Sequence, residues 1–211
     1  MSNNLSAPNG PGRPKDLAKR QAILDAAKIL FLSHGYANTS MDAVASEAGV
    51  SKLTVYSHFN DKETLFSAAV VAKCEEQLPP LFFELPEGIA VENVLLNIAR
   101  GFHQLINSDE SVNLHRLMMA LGTQDPKLSQ IFFEAGPERM VQGMERLLKR
   151  IHETGALSID QPRNAAEHFF CLIKGAGNFR LLYGCGEPLS EEAAESHVQE
   201  VVGLFMRAYK P

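Results

Sequence analysis

Residues 39–62 read Thr-Ser-Met-Asp-Ala-Val-Ala-Ser-Glu-Ala-Gly-Val-Ser-Lys-Leu-Thr-Val-Tyr-Ser-His-Phe-Asn-Asp-Lys, and this stretch decides the fold. It contains two helical patterns, each too short to form a stable helix alone. Between them lie a helix stop at Gly49 and a helix start at Ser51. Two short helices joined in this way predict a helix-turn-helix motif at about residues 40–59.

The first of the two helices is predicted to begin near Ser40. Thr39 and Asp42 match the capping box, in which the threonine hydroxyl accepts from the amide three residues on and the aspartate reaches back to the cap amide. Gly49 then stands where a left-handed residue closes a helix. Between these ends, one apolar face recurs at helical spacing through Met41, Val44, Ala45 and Ala48.

The second helix is predicted to present a polar face to solvent. Val55 and Phe59 fall on the face that packs inward. The other faces carry a cation, hydroxyls and rings that donate hydrogen bonds, which suits a groove in DNA. These residues are Lys52, Thr54, Tyr56, Ser57 and His58.

The composition indicates a globular protein. The chain has 211 residues, 45% of them hydrophobic and 21% charged. It lacks an apolar run long enough for a membrane span and a secretory signal, so we expect a cytoplasmic protein without a membrane partner. The three cysteines and seven histidines have no disulfide or metal-ligand spacing. We therefore expect neither a metal nor a cofactor.

The charge is unevenly distributed along the chain. The formal net charge of −5 argues against non-specific coating of a polyanion. Residues 1–62, however, carry seven lysines and arginines against five acidic residues, a net charge of +2. DNA would therefore contact the N-terminal end. Within it, residues 1–16 are predicted to be a flexible basic arm that tracks phosphates or is simply a solvated tail.

The remaining sequence predicts further helices. One runs from Asp16 to His34 before Gly35, and another follows the cap at residues 60–63 and ends before Pro79. Apolar stripes predict five more, and strand-like alternation is absent, so the predicted fold is all-α. Those five are Val91–Ile106, Ser111–Leu121, Pro126–His152 with a break at Gly136-Pro137, Pro162–Tyr183 and Glu191–Tyr209.

Motifs at fixed spacing are spread through residues 17–77. They are Ile23-Leu24-Asp25-Ala26-Ala27, Phe31, Gly35-Tyr36, Thr39-Ser40-Met41, Val44-Ala45, Ala48-Gly49-Val50-Ser51, Val55-Tyr56-Ser57-His58-Phe59 and Lys62-Glu63-Thr64-Leu65. Through them, residues 17–77 resemble the DNA-binding domain of the TetR family of bacterial transcriptional regulators. Through Leu114-His115-Arg116-Leu117 and residues 132–137, the C-terminal part, residues 78–211, resembles the AefR-like type. The resemblance implies a three-helix N-terminal domain, a connector helix, and a larger helical domain for effector binding and dimerisation.

The same resemblance implies a function and its contact residues. The chain is expected to be a homodimeric repressor that leaves a palindromic double-stranded operator when a small hydrophobic effector binds. For Tyr56 and His58, the alternative interpretation is that they are partly buried packing residues. By resemblance, Lys52 and Thr54 face base edges, Tyr56, His58 and Lys62 hold phosphates, Thr39 or Ser40 touches the backbone, and Ser51 and Ser57 lie on the same surface.

Two further sites are expected in the C-terminal part, and both have a simpler alternative. Adaptable apolar side chains that line an effector pocket, or belong to plain core, are Phe102, His103, Met118, Met140, Met144 and Phe170. Residues on the last two stripes that form a dimer interface, or face the subunit's own core, are Phe169, Ile173, Gly177, Val198, Val201, Val202 and Phe205.

Other functions remain as alternatives. A DNA-bound protein that recruits a protein partner, without a small molecule, would show an exposed apolar patch and no internal cavity. An enzyme is not expected, because the sequence contains no nucleophile elbow, phosphate-binding loop, dinucleotide fingerprint or zinc-protease motif.

Overall fold

The structure of the protein, a computed structural model, describes residues 16–77, 80–122 and 125–211. These segments form helices and contain no strand, as predicted. The predicted basic arm lies outside the described residues, apart from Asp16. The helices are α1 (Leu17–Asn38), α2 (Met41–Glu47), α3 (Lys52–His58), α4 (Lys62–Gln77), α5 (Val91–Asn107), α6 (Asp109–Leu121), α7 (Pro126–Phe133), α8 (Arg139–Glu153), α9 (Pro162–Tyr183) and α10 (Glu191–Ala208).

Helix α1 follows the sequence signals at its start and departs from them at its end. The Asp16 carboxylate accepts from the amide of Ala18 at 3.1 Å and caps the helix. Gly35 adopts φ +78°, which breaks the helix at the predicted stop. One more turn then forms before Asn38, so Gly35 kinks α1 rather than ending it.

The first three helices and α4 share one hydrophobic core. Ile23 and Phe31 of α1 pack with Val55 of α3 and Phe66 of α4, and all four are buried. The rings of Phe31 and Phe66 meet edge to face at 5.2 Å between centroids. Helices as short as α2 and α3 are held by this burial rather than by their own propensity. The C-terminal helices complete the core with Met118, Leu128 and Ala135.

A second hydrophobic core lies between α5, α8, α9 and α10. Its centre is built from fully buried side chains, one stripe from each helix. The stripes predicted from the sequence therefore do form helices, with ends that agree within three residues. Examples of the central residues are Ile98, Leu147, Phe169 and Val202.

The predicted break between α7 and α8 is present. Residues Glu134–Glu138 form one wide π-helical turn that contains Pro137. Proline has no amide hydrogen to donate, which accounts for the interruption of the regular ladder. Among the described residues, no helix is both long enough and apolar enough to cross a membrane.

Candidate DNA-binding face and ligand cavity

Helix α3 is positioned by its cap and two anchors. The Ser51 hydroxyl accepts from the amide of Thr54 at 3.1 Å, and Gly49 takes φ +65° in the preceding turn. Val55 and Phe59 are buried against α1 and α4, so the opposite side of α3 faces solvent. This confirms the predicted helix-turn-helix geometry.

Lys52 is paired within the protein. Its ammonium lies 2.8 Å from one carboxylate oxygen of Asp42 and 3.0 Å from the other. The hydrogen bond to Asp42 raises the pKa of Lys52, so the ammonium stays charged at neutral pH. Both side chains are exposed, which leaves the cation free to exchange Asp42 for a base edge or a phosphate.

The hydroxyls of α3 already have local partners. Ser51 and Thr54 share a hydrogen bond of 2.8 Å between their oxygens. Ser57 donates to the carbonyl of Thr54 at 2.7 Å. By contrast, Leu53 and Tyr56 project outward with 83% and 42% of their surface exposed. Leu53 is thus a contact candidate that the predicted residues omitted, and its apolar exposure on α3 is the signal.

The predicted role of Thr39 needs correction. Thr39 is only 2% exposed, and its hydroxyl donates to the carbonyls of Gly35 at 2.9 Å and Leu30 at 3.1 Å. Ser40 caps α2 instead, accepting from the amide of Ala43 at 3.0 Å. The prediction of a Thr39 capping box is therefore wrong, and Ser40 is the residue left to touch a DNA backbone.

Lys62 and His58 are less open than the predicted phosphate contacts require. The Lys62 ammonium sits 4.2 Å from the ring centre of Tyr36 and donates to the Ala37 carbonyl at 3.3 Å. Burial lowers the pKa of Lys62. His58 is half-buried, and its Nδ1 is enclosed without a hydrogen-bond partner among the described groups. Lys62 is therefore held against the end of α1, and His58 has part of its ring enclosed rather than open to a phosphate.

A cavity of about 360 Å³ lies between α4, α5, α6, α9 and the α7–α8 turn. Its walls are mainly apolar, and its volume is within the range of small-molecule sites. Three of the six predicted pocket residues line it: Phe102, Met140 and Phe170.

The other three predicted pocket residues lie elsewhere. Met144 is fully buried in the C-terminal core, and Met118 packs into the core of the DNA-binding helices. His103 lies outside the cavity, with its ring 5.9 Å from that of His197. Helical spacing identified the apolar faces of Met118 and Met144 correctly. It did not predict that these faces pack into the two cores rather than line the cavity, because that depends on how α6 and α8 pack.

Most charged groups at the cavity are already paired. Lys73 lies 2.9 Å from Glu110, and Arg163 binds both carboxylate oxygens of Glu138. Burial raises the pKa of the Cys74 thiol to about 12, so this cysteine is protonated at neutral pH. Along the described cavity wall, Lys174 is the cation without a carboxylate within ion-pairing distance.

Helix α4 connects the cavity to the helix-turn-helix. It contributes Val70 and Cys74 to the cavity wall and Phe66 to the core that carries α3. Gly136, in the turn before α8, lets α4 come close. A Cβ at that position would lie 3.3 Å from Cγ1 of Val70. Helix α4 therefore contacts both the cavity and the core of the helix-turn-helix.

The predicted dimer residues face the interior of a single chain. Phe169, Ile173, Val198, Val201, Val202 and Phe205 are all buried, and only Gly177 is partly exposed. These six buried residues therefore face the subunit's own core, the alternative that the sequence left open, and their assignment to an interface is wrong, whereas that of Gly177 stays a prediction. The outer face of α9 instead carries exposed apolar residues on both sides of a kink at Gly175: Leu172 before it, and Phe179 and Tyr183 after it, with Leu204 on α10.

Comparison with known proteins identifies both parts of the chain. Residues 23–69 match the family described as bacterial regulatory proteins, tetR family. Residues 93–211 match the C-terminal domain of AefR-like transcriptional repressors.

Similar proteins extend over nearly the whole length. The uncharacterized HTH-type transcriptional regulator YdeS of Bacillus subtilis (strain 168) is 27% identical over 201 residues, covering 94% of this chain and 92% of YdeS. A structure described as a TetR-family transcriptional regulator from Mesorhizobium loti MAFF303099 has a TM-score of 0.74 at 29% identity, covering 92% of this chain and 98% of that one. The structure of the flavonoid-responsive regulator FrrA has a TM-score of 0.70 at 31% identity, covering 93% and 99%.

Proposed function

The chain belongs to the TetR family of bacterial transcriptional regulators, and from that premise we propose that it is a homodimeric repressor that a small apolar effector releases from a palindromic operator. As a DNA-bound regulator, it would act in the cytoplasm. The observation that carries the proposal is that α4 belongs at once to the DNA-binding core, through Phe66, and to the cavity wall, through Val70 and Cys74.

DNA recognition is assigned to the exposed side of α3 and the start of α2. Lys52, Leu53 and Tyr56 project from α3, and Ser40 lies at the N-terminus of α2. A lysine can donate to guanine O6 and N7 in the major groove, while a tyrosine hydroxyl fixes register on a phosphate. Thr54, Ser57, His58 and Lys62 stand at the edges of this surface.

Dimerisation is assigned to the outer faces of α9 and α10. Phe179 and Tyr183 are 57% and 81% exposed in the single chain. Exposed apolar side chains of this size favour burial against a partner subunit. One helix-turn-helix contacts only a half-site, whereas a two-fold dimer matches an inverted repeat. The patch could equally recruit a different protein, but the apolar cavity favours regulation by a small molecule.

Effector release is assigned to a shift of α4. An effector that prefers a displaced α4 would bind the state with misplaced recognition helices more tightly, and by linkage it would weaken operator binding by the same factor. FrrA, described as flavonoid-responsive, supports such a role for this architecture. The matched relatives are transcriptional regulators, and we propose no catalytic activity.

The test is selection of bound fragments from sheared genomic DNA with the purified protein, followed by titrations on the best site at several salt concentrations. We expect an inverted repeat, bound by two subunits, with affinity that falls steeply as salt rises. Enrichment of no sequence over random DNA would contradict the proposal.

A further inference from the structure

His115 lines the cavity and has one ring nitrogen, Nε2, without a hydrogen-bond partner in the described part of the chain. The bond made by the other ring nitrogen, Nδ1, determines that Nε2 is an acceptor. His115 lies on α6, and its Nδ1 is 2.7 Å from the backbone carbonyl of Ser111. A carbonyl only accepts, so Nδ1 must carry the hydrogen. In a neutral imidazole the other nitrogen, Nε2, is then an acceptor.

The surroundings keep the His115 ring neutral. Burial, and to a lesser degree the charge of Lys174, lower the pKa of His115 below its ordinary value, although the bond to Ser111 works in the opposite direction. At neutral pH His115, which lines the cavity, therefore carries a lone pair at Nε2 rather than a second N–H. No described protein group donates to this Nε2.

The walls around His115 are aromatic. Phe132 meets the His115 ring edge to face at 5.3 Å, and Phe102 and Phe170 lie 4.5 Å apart across the cavity lining. Aromatic walls favour a flat ring as the occupant because such pairs gain energy beyond area burial. Lys174, near the same ring, favours an oxygen that carries partial negative charge.

We propose that the cavity binds a hydroxylated aromatic molecule, a phenol, whose hydroxyl donates a hydrogen bond to Nε2 of His115. This deepens the effector site proposed above and rests on it. A carboxylate of the same skeleton has no hydrogen to donate at neutral pH and would set its charge against the nitrogen lone pair. An ether of the same skeleton would leave Nε2 buried without a donor.

Binding of three probes, measured by calorimetry on the full-length protein, tests the proposal: 2-naphthol, 2-methoxynaphthalene and 2-naphthoate. We expect 2-naphthol to bind about tenfold more tightly than its methyl ether, the scale of one buried hydrogen bond. His115→Phe should abolish this preference, while the matched change His103→Phe, outside the cavity, should keep it. Equal affinities for the two probes, tighter binding of 2-naphthoate, or a preference that survives in His115→Phe would overturn the proposal.

Acidification provides a second readout. Protonation would turn the acceptor into a donor, and the oxygens of both probes can accept from it. The preference for 2-naphthol over its methyl ether should therefore be constant around neutrality and shrink below the ordinary histidine pKa. With His115→Phe the ratio of the two affinities should not change with pH. That variant also controls for the other groups that titrate or carry charge around His115, which are Lys73, Cys74, Arg163, Glu167, Cys171 and Lys174.

The outcomes separate this proposal from the proposed function. If the protein binds an inverted repeat but not 2-naphthol, the phenol site is wrong and the DNA-binding proposal stands. If 2-naphthol binds with the expected preference while no DNA sequence is selected, the phenol site stands and the repressor proposal fails.

Discussion

The ammonium of Lys52 lies 2.8 Å from a carboxylate oxygen of Asp42, so the cation at the start of the recognition helix is neutralised by the neighbouring helix in the free protein. Both side chains are more than half exposed. In such a pair the charges are screened by water, and a DNA phosphate or guanine can displace the carboxylate. The Asp42–Lys52 ion pair therefore determines how strongly the charge of Lys52 attracts DNA.

Asp42→Asn should strengthen DNA binding without destabilising the fold. It removes a negative charge that repels phosphates and frees Lys52, so we expect higher affinity on all sequences and a salt slope steeper by about one. Fluorescence anisotropy at several salt concentrations measures both. Glu47→Gln makes the same charge change at an exposed residue of α2 that has no ion-pair partner among the described residues. An equal gain in both variants would mean that Lys52 plays no special part.

Leu53 should recognise a thymine base by contacting the methyl group of the thymine. An exposed leucine beside Lys52 can rest against a thymine methyl in the major groove. Replacing one operator thymine by deoxyuracil should then weaken binding about fourfold, the value of one buried methyl group at about 0.8 kcal/mol. Leu53→Ala should bind both operators alike. If the wild-type protein binds every deoxyuracil-substituted operator as tightly as the natural one, Leu53 does not contact a thymine methyl.

Thr39→Val should lower stability rather than act on DNA directly. The isosteric change removes the hydroxyl that bonds the carbonyls of Leu30 and Gly35 at the kink of α1. Losing two hydrogen bonds from a buried hydroxyl should cost about 1–3 kcal/mol of unfolding free energy in urea titrations. Ser40→Ala, which removes the cap of α2, should cost about 1 kcal/mol. An unfolding free energy unchanged in Thr39→Val would show that its two hydrogen bonds contribute nothing.

Phe179→Glu should separate the subunits without unfolding them. Because Phe179 is exposed on α9, a charge there costs nothing in the single chain but is buried by a partner. Sedimentation should show monomers, and operator affinity should fall. Met119→Glu, at an equally exposed apolar residue of α6, should leave the dimer intact. Phe169→Ala, in the core, should instead cost about 3–5 kcal/mol of stability. A Phe179→Glu protein that stays dimeric would place the interface elsewhere.

The sequence predicted the helix ends that are determined by the residues at those ends. Ser51 marks a helix start by its hydroxyl, Gly49 and Pro162 mark helix ends by their backbone preferences, and the structure agrees at each. Thr39 was misassigned because Ser40, the next residue, also carries a hydroxyl. Which of them caps α2 depends on where the kink at Gly35 places the carbonyls of α1.

The site residues were harder to predict because an apolar stripe on one helix does not show which other helix, subunit or ligand it packs against. Helix α9 has two apolar faces, an inner one with Ile173 and an outer one with Phe179, and periodicity alone favoured the inner face as the interface. In the same way, Met118 and Met140 look equivalent in the sequence, yet only Met140 reaches the cavity. The sequence assigns His115 no role of its own, since that role depends on the tautomer that Ser111 selects.

Gly136→Ala should reproduce part of the effector's action in its absence. The new Cβ would lie 3.3 Å from Cγ1 of Val70 and 3.5 Å from Sγ of Cys74, closer to Val70 than ordinary packing allows. Because the wide turn and α4 are packed together, we expect α4 to move away and operator affinity to fall with the fold intact. Anisotropy on the selected operator and thermal unfolding measure the two effects.

Val70→Ala supplies the control for the Gly136 prediction. The alanine lacks the Cγ1 that the new Cβ approaches, so the double variant should recover the operator affinity that Gly136→Ala loses, beyond any effect of Val70→Ala alone. Coupling of this sign would mean that contact pressure on α4 is transmitted to the recognition helices. Strictly additive effects in the cycle would mean that α4 does not carry the signal from the cavity to DNA.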